Sequence, residues 1–345
     1  MWYNTAYEAE QEEMSVATIK DVAERVGITP TTVSRILNNR GYISDKTRQK
    51  VYKAMEELDY QPNEVARSLS KKHTNCIGIV LPSIKHPFFA EVLSWLEFYA
   101  ADRGYKIMVC NSQEDKAKEM EYIDLLKSNR VAGIIFCTRS GKIEKNLDAV
   151  CPIIAFEREA SEGIPTVICD NYQGGTLATK CLLEAGCRQP VVLSGTKNLH
   201  LPADSREEAF LDSCREAGVQ GRVFNTSEMQ FNEQNYEKWI EEILRSHPGT
   251  DGIFATSDVI AAQVIRVCHR MKLRVPEDIS LVGFDDVEIA ALTCPSLTTV
   301  HQPIEQMCDY AIDVIVRKLR GETIPRKIVL PVTLVERESV KTAHR

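Results

Sequence analysis

Glycine-rich phosphate signatures are missing from this 345-residue chain. No G-x-G-x-x-G follows the apolar run "CIGIVLP", no G-x-x-x-x-G-K-[ST] occurs, and no G-x-S-x-G places a serine on a strand-to-helix turn. Nucleotide-dependent and serine-hydrolase chemistry therefore lose their sequence signals, and the expectation is a non-enzyme. Paired metal-binding cysteines are missing too. The eleven cysteines are odd in number and scattered from Cys76 to Cys308 without any C-x-x-C spacing. Several lie in apolar runs such as "IIFC" and "TVIC", where a reduced thiol acts as a small buried hydrophobe, so neither metal nor other cofactor is expected. A run of 18 apolar residues and a charged-then-apolar leader are both lacking, which predicts a cytoplasmic chain with no membrane partner. No leucine heptad follows Val340, which favours a homodimer over a tetramer.

What is present is an asymmetry of charge. The chain carries a formal charge of −7, yet residues 16–73 hold 11 Lys and Arg against 7 Asp and Glu, a net of +4 that leaves −11 elsewhere. A basic head on an acidic body points to a polyanionic partner for the head alone. Residues 1–15, acidic and without apolar periodicity, read as a disordered extension.

Within the head, Thr18 stands three residues before Asp21, a capping-box spacing, and Ile19, Val22, Ala23 and Val26 follow at helical intervals. Gly27 ends that helix. Thr29 then caps a second helix whose first turn takes Pro30, where a missing N–H does no harm. A third helix begins at Ser44 and offers Val51, Ala54, Met55 and Leu58 as an apolar wall. Residues 16–61 thus read as a helix-turn-helix. With Val33, Ile36 and Leu37 on the wall, Pro30, Thr31, Ser34 and Arg35 face outward. Arg pairs with guanine edges, Thr bonds bases or touches a thymine methyl, and Ser34 and Thr29 suit phosphate oxygens. Thr18 is a further DNA-contacting candidate.

The stretch 62–73 in "YQPNEVARSLSKKHT" has too few apolar partners to hold a helix by itself. It reads as a hinge that folds only against something else, with Arg67, Lys71 and Lys72 suited to phosphate and Leu69 to wedging a minor-groove step. Together, "ATIKDVAERVGITPTTVSRILN" and "YQPNEVARSLSKKHT" resemble the DNA-binding headpiece and hinge of the LacI/GalR family of bacterial repressors. The resemblance implies major-groove reading by Pro30, Thr31 and Arg35 and minor-groove insertion by Ala66 and Leu69 from a dimer on operator DNA. Members commonly start near "MSVATIKDVA", so the thirteen residues before Met14 have no counterpart.

Residues 74–345 change texture. "CIGIVLP", "YKIMVCN", "AGIIFC" and "PIIAF" read as buried parallel strands, and "PVVLS", "DGIFATS" and "ISLVGFD" repeat the rhythm after "PTVICDNYQGG". The expected fold is an N-terminal all-α helix-turn-helix headpiece plus an α/β core of two doubly wound parallel-sheet lobes with a cleft between them. The resemblance implies an effector and dimerisation domain like the periplasmic sugar-binding proteins. Lobe 1 would span about 74–170 and 303–332, and lobe 2 about 171–302 and 333–345. The chain would cross near Asp170 and Asn171, near Gln302 and Pro303, and near Val332.

Sugars call for planar bidentate partners and flat apolar surfaces. Phe88 and Phe89 in "HPFF", Arg158 ending "IIAFER", Arg206 opening "REEAF" and Asp285 in "VGFDD" fall where the family binds its effector, with Phe231 and Ser257 as further candidates. Asp258 is a helix cap in this reading. Glu157 stands where sugar-binding relatives carry Asp. His200 stands where purine-binding relatives carry Arg, which argues against a purine. The details "GYISDKT", "VCNSQED", "PIIAFER" and "LPVTLVERESV" look most like repressors of sucrose and ribose utilisation, which implies a sugar or sugar-phosphate effector. Two alternatives stay open: a global catabolite-control regulator that responds to a phosphorylated carrier protein, and a sugar-binding module without regulatory role.

Overall fold

The computed structural model describes residues 17–37, 41–61, 73–138, 151–158, 160, 163–196 and 201–342. The chain divides into two units, Met1–Lys72 and His73–Arg345. The hinge candidates Ala66, Arg67 and Leu69, the basic pair Lys71 and Lys72, His200, and the extension 1–15 lie outside the described residues.

The described part of the first unit is three short helices, Ile19–Val26, Pro30–Leu37 and Asp45–Glu57. Each start has a local cause. The Asp21 carboxylate accepts from the Thr18 N–H at 2.7 Å and from its hydroxyl at 2.8 Å. Thr29 Oγ1 accepts from the Thr32 N–H at 3.3 Å, and Ser44 accepts from the Thr47 N–H. Gly27 closes the first helix at φ 74°, a left-handed conformation that suits a residue without Cβ. Val22, Ala23, Val33, Ile36, Val51 and Ala54 form the core, with Met55 and Leu58 packed against it. Six buried side chains make a small core, and an Arg25–Glu57 ion pair at 2.9 Å ties the first helix to the third.

The second unit holds two six-stranded sheets. The first has the order β11-β5-β4-β3-β1-β2, with β1 Cys76–Leu81, β2 Lys106–Asn111, β3 Gly133–Phe136, β4 Ile153–Phe156, β5 Thr166–Cys169 and β11 Lys327–Leu330. The second has the order β12-β10-β9-β8-β6-β7, with β6 Pro190–Ser194, β7 Arg222–Asn225, β8 Gly252–Ala255, β9 Ser280–Asp285, β10 Thr298–His301 and β12 Thr333–Val335. All pairings are parallel except β10 with β12. Helices cover the faces, so central strands such as "GIIF" and "IIAF" are buried throughout and read as unbroken apolar runs.

Three crossings join the lobes. After β5 the chain passes through Asp170 and Asn171 into helix Asn171–Glu184, which packs on the second sheet; after β10 it passes through Gln302 and Pro303 into helix Ile304–Leu319, which packs on helix Pro87–Asp102 of the first lobe. The third lies between β11 and β12. The first crossing helix sits close to helix Ser205–Glu216 because residue 175 is glycine: a Cβ there would lie 2.5 Å from the Arg206 carbonyl oxygen. That close approach brings Arg206 to the inter-lobe cleft.

Candidate functional site

The first candidate surface belongs to the head. On helix Pro30–Leu37 the i, i+3 pair Val33 and Ile36 is fully buried, so the intervening positions turn away from the core. Pro30, Thr31 and Arg35 are exposed, Ser34 is half-buried, and Thr29 at the cap is exposed. Arg35 makes no hydrogen bond or ion pair with any described residue, which leaves its guanidinium free for a bidentate partner. Thr18 is exposed as well, but its hydroxyl already donates to Asp21.

The second lies in the body, where a cavity of about 130 Å³ opens between the lobes at the carboxyl ends of the strands. Phe88, Phe89, Arg206, Phe231, Ser257 and Asp285 all line it. The lobe 1 wall is aromatic: Phe88 and Phe89 meet edge to face at 5.1 Å, and His86 stacks on Phe231 of the opposite lobe at 5.8 Å with 22° between ring planes.

Below the aromatics runs a polar chain. Arg206 donates from Nε to Asn171 Oδ1 at 2.6 Å and from Nη1 to the Thr256 carbonyl at 2.8 Å. Its Nη1 also lies 3.9 Å from Asp285, and the guanidinium carbon sits 3.5 Å from the centre of the Phe284 ring. Asn171 passes the connection to lobe 1 by donating to Glu157 Oε2 at 3.1 Å, and Glu157 Oε1 accepts from the Cys169 N–H. Gln302, at the second crossing, donates to Asp285 at 2.7 Å. Two of the three crossings therefore hydrogen-bond into the pocket floor. A ligand that displaced or extended these bonds would act directly on the hinge.

Electrostatics follow from burial. Loss of solvent pushes the Asp285 carboxyl up to about 7, against the opposing pull of Arg206 and the Gln302 hydrogen bond. Glu157 is also raised, by burial, with Arg206 and the Cys169 and Asn171 hydrogen bonds acting the other way. Both carry positive φ, 49° at Glu157 and 114° at Asp285. Such non-glycine conformations cost roughly 1–3 kcal/mol each and persist where the surroundings over-determine them. Here both aim an acid into the cleft.

Arg158 goes elsewhere. Glu157 takes the cavity wall, while Arg158, itself buried, borders a second cavity of about 800 Å³ beside the first crossing, and its Nη1 donates to Thr138 Oγ1 at 2.6 Å. Ser257 borders the first cavity, but its hydroxyl accepts from the Ile260 N–H as a helix cap. Asp258 is fully buried and accepts from Thr299 Oγ1 at 2.6 Å and the Val287 N–H at 3.0 Å, so it braces the loop after β9.

A model of the "Bacterial regulatory proteins, lacI family" matches residues 18–63, and one of the "Periplasmic binding protein-like domain" matches 179–340. The sucrose operon repressor of Streptococcus mutans is 36% identical over 94% of this chain and 100% of its own. The chain belongs to the LacI family. The ribose operon repressor of Halalkalibacterium halodurans is likewise 36% identical over 94% of this chain and 98% of its own. Among solved structures, a LacI transcriptional regulator from Alkaliphilus metalliredigens, complexed with D-xylulofuranose, aligns at TM-score 0.70 and 32% identity over 78% of this chain and all of that one. The lac repressor dimer bound to operator aligns at TM-score 0.79 over 94% of this chain and 99% of that one; at 24% identity it supports the fold alone.

For a LacI-family chain, sequence reasoning missed part of the cavity wall: His86, Cys137, Ser194, Thr196, Tyr236, Thr256 and Gln302 line it too. Ser194 and Thr256 end or follow strands β6 and β8. Their strand-end position was the available signal, since ligands of open α/β sheets gather at carboxyl ends. Gln302 carried only a hinge reading. His86 was in plain view in "HPFF", but nothing local to that tetrapeptide reveals that Phe231, 145 positions on, would stack with it.

Proposed function

We propose that this LacI-family protein is a homodimeric repressor of a carbohydrate-utilisation operon, released from its operator by a sugar or sugar phosphate bound between the two lobes. The observation that carries this reading is the 36% identity to sucrose and ribose operon repressors over 94% of the chain, through head and body alike. In it Pro30, Thr31 and Arg35 read base edges in the major groove, while Thr18, Thr29 and Ser34 supply phosphate contacts or support them. Ala66 and Leu69 serve the minor groove at the operator centre, and Arg67 the phosphates beside it. Two heads related by a two-fold axis demand an inverted-repeat site.

In the body, Arg206 and Asp285 meet sugar hydroxyls, Phe88, Phe89 and Phe231 cover C–H faces, and Ser257 borders the ligand. The Glu157–Asn171–Arg206–Asp285–Gln302 chain supports a hinge mechanism, because a ligand bonded to it changes the relative energy of the lobe arrangements. The switch is limited by the ligand's differential affinity for those arrangements, typically about 1–3 kcal/mol. Arg158 has a supporting place beside the first crossing in this scheme. A carrier-protein co-effector has no feature here that favours it over a small ligand.

Selection of the full chain on random duplexes, followed by titration of the selected duplex with small sugars and with a phosphorylated carrier protein, tests the reading. Recovery of an inverted repeat released by a sugar is expected. Recovery of no inverted repeat, or release by the carrier alone, contradicts it.

A further inference from the structure

On the reading of the chain as a ligand-released repressor, we propose that a charged cluster outside the cleft, in which Glu91 of lobe 1 faces His301, Asp286 and Arg337 of lobe 2, is a proton-sensitive latch between the lobes, so that operator affinity responds to pH as well as to a ligand.

The strand ends set this cluster back to back with the pocket floor. β9 and β10 run parallel with His301 opposite Asp285, and the next residues of the two strands are Gln302 and Asp286. Two cross-strand bonds result. On the buried side Gln302 donates to Asp285 at 2.7 Å, and on the outer side His301 Nδ1 lies 3.0 Å from Asp286 Oδ2. Gln302 and Asp285 are 1% and 4% exposed, whereas the His301 side chain is 47% exposed, so protons reach the outer bond freely. Any movement of His301 passes through one peptide bond to Gln302 and the second crossing.

The other members come from separate elements. Arg337, two residues beyond β12, donates from Nη2 to Asp286 Oδ1 at 2.7 Å and from Nη1 to the Leu297 carbonyl at 2.8 Å, which ties Asp286 to the strand by which the chain last enters lobe 2. Helix Pro87–Asp102 of lobe 1 brings the half-buried Glu91 within electrostatic reach of His301, Asp286 and the exposed Glu288. With His301 protonated, two cations face three carboxylates. Without that proton Arg337 alone faces them, and Glu91 is left across the lobe boundary from two like charges.

The titrations agree with this geometry. The bond to Asp286 raises the His301 imidazole; burial opposes the rise, Glu91 adds to it and Arg337 subtracts. Burial would raise Asp286, but His301 and Arg337 outweigh it and hold the carboxyl low. Glu91 is raised by burial, with His301 and the Trp95 side chain pulling it down and Asp286 and Glu288 pushing it up. Glu91 also acts on Asp285, and Asp286 on Asp258. Because the clustered arrangement raises His301, the proton favours it: the latch is fully present below about 6.5 and is lost as the pH rises through the value of His301 in the fold. At the acid end Glu91 takes up its own proton and the attraction across the lobes goes. The exposure of His301 screens the effect and keeps it modest.

Two measurements on the full chain test the latch. NMR of histidines labelled at Cε1, with the His301 signal assigned by its loss in His301→Gln, should give a midpoint above about 6.5 that falls in Glu91→Gln. A midpoint at or below that value, or one that Glu91→Gln leaves in place, overturns the proposal. Binding of the selected inverted-repeat duplex at pH 6 and pH 8.5, at constant ionic strength and without ligand, reads the coupling to DNA. The ratio of the two dissociation constants should differ by about two- to fivefold between the unaltered chain and each of His301→Gln and Glu91→Gln. These variants change the net charge in opposite senses, so an effect common to both is not a general attraction for DNA. A ratio that either variant leaves unaltered overturns the coupling. Failure to select any inverted repeat sinks the repressor reading instead, and the NMR midpoint still decides whether the latch exists.

Discussion

The head and the body of this chain present their working side chains in opposite ways. Helix Pro30–Leu37 turns Thr31 and Arg35 into solvent with Arg35 uncommitted, whereas the cleft buries Arg206 and Asp285 and gives each its partners within the protein. A surface that awaits a polyanion loses little by leaving its cation hydrated. A cleft that takes a small ligand has to hold its polar groups in place beforehand, since groups left unpaired and dry would destabilise the fold. Function in the head should therefore be separable from stability, and function in the cleft should not.

The largest effect that would sharpen this contrast is expected at Arg206. Arg206→Ala should lower the unfolding free energy of the body by about 3–5 kcal/mol, as removal of one partner of a buried charge pair does, and abolish the ligand response. Urea unfolding followed by fluorescence of Trp95 and Trp239 measures it. A loss below about 1 kcal/mol would make the cleft behave like a surface.

Next comes pH. Burial holds Asp285 near 7, against about 3.9 in an unfolded chain. Between those values the folded state binds more protons than the unfolded one, so this group's share of stability falls as the pH rises from about 4 to about 7, by a few kcal/mol at most. Asp285→Asn should flatten that slope in urea unfolding at pH 5 and pH 7.5. An unaltered slope would assign the dependence to other groups.

A third test concerns Arg35 alone. Arg35→Ala should reduce operator affinity by about 1–3 kcal/mol and relax one base preference, with thermal stability shifted by no more than about 0.5 kcal/mol. Uniform weakening on every duplex would mean that Arg35 touches only phosphate. The smallest effect is expected at the cap: Thr29→Ala should destabilise the head by about 1 kcal/mol, read by amide exchange of the head, with ligand binding by the body unchanged.

The same contrast governs what was legible in the sequence. Helix spacing at Val22, Ala23, Val33, Ile36, Val51 and Ala54 yields the head because its core is built from close neighbours along the chain. The apolar runs likewise yield β1 to β4, β6, β8 and β9, whereas β7, β10, β11 and β12 were not legible in this way. Phe88, Phe89, Phe231, Arg206, Ser257 and Asp285 converge on one cavity, and all but Phe231, which lies within the short helix Glu228–Glu233, sit at a strand end or a helix start that the βα rhythm locates. The partnerships were not legible. Whether Glu157 or Arg158 faces the cleft depends on a left-handed backbone at Glu157, and no side-chain pattern announces that. The bonds from Asn171 to Arg206 and from Gln302 to Asp285 span 35 and 17 positions, and only the closed fold brings them together.

The dissociation constant of the full chain for its selected inverted-repeat duplex, measured with and without a saturating sugar or sugar phosphate, tests the central claim most directly. The account predicts tight binding that the sugar weakens by roughly 5- to 150-fold, with scrambled duplex bound far more weakly in both conditions. Equal affinity for the two duplexes, or a constant that no sugar changes, would contradict it.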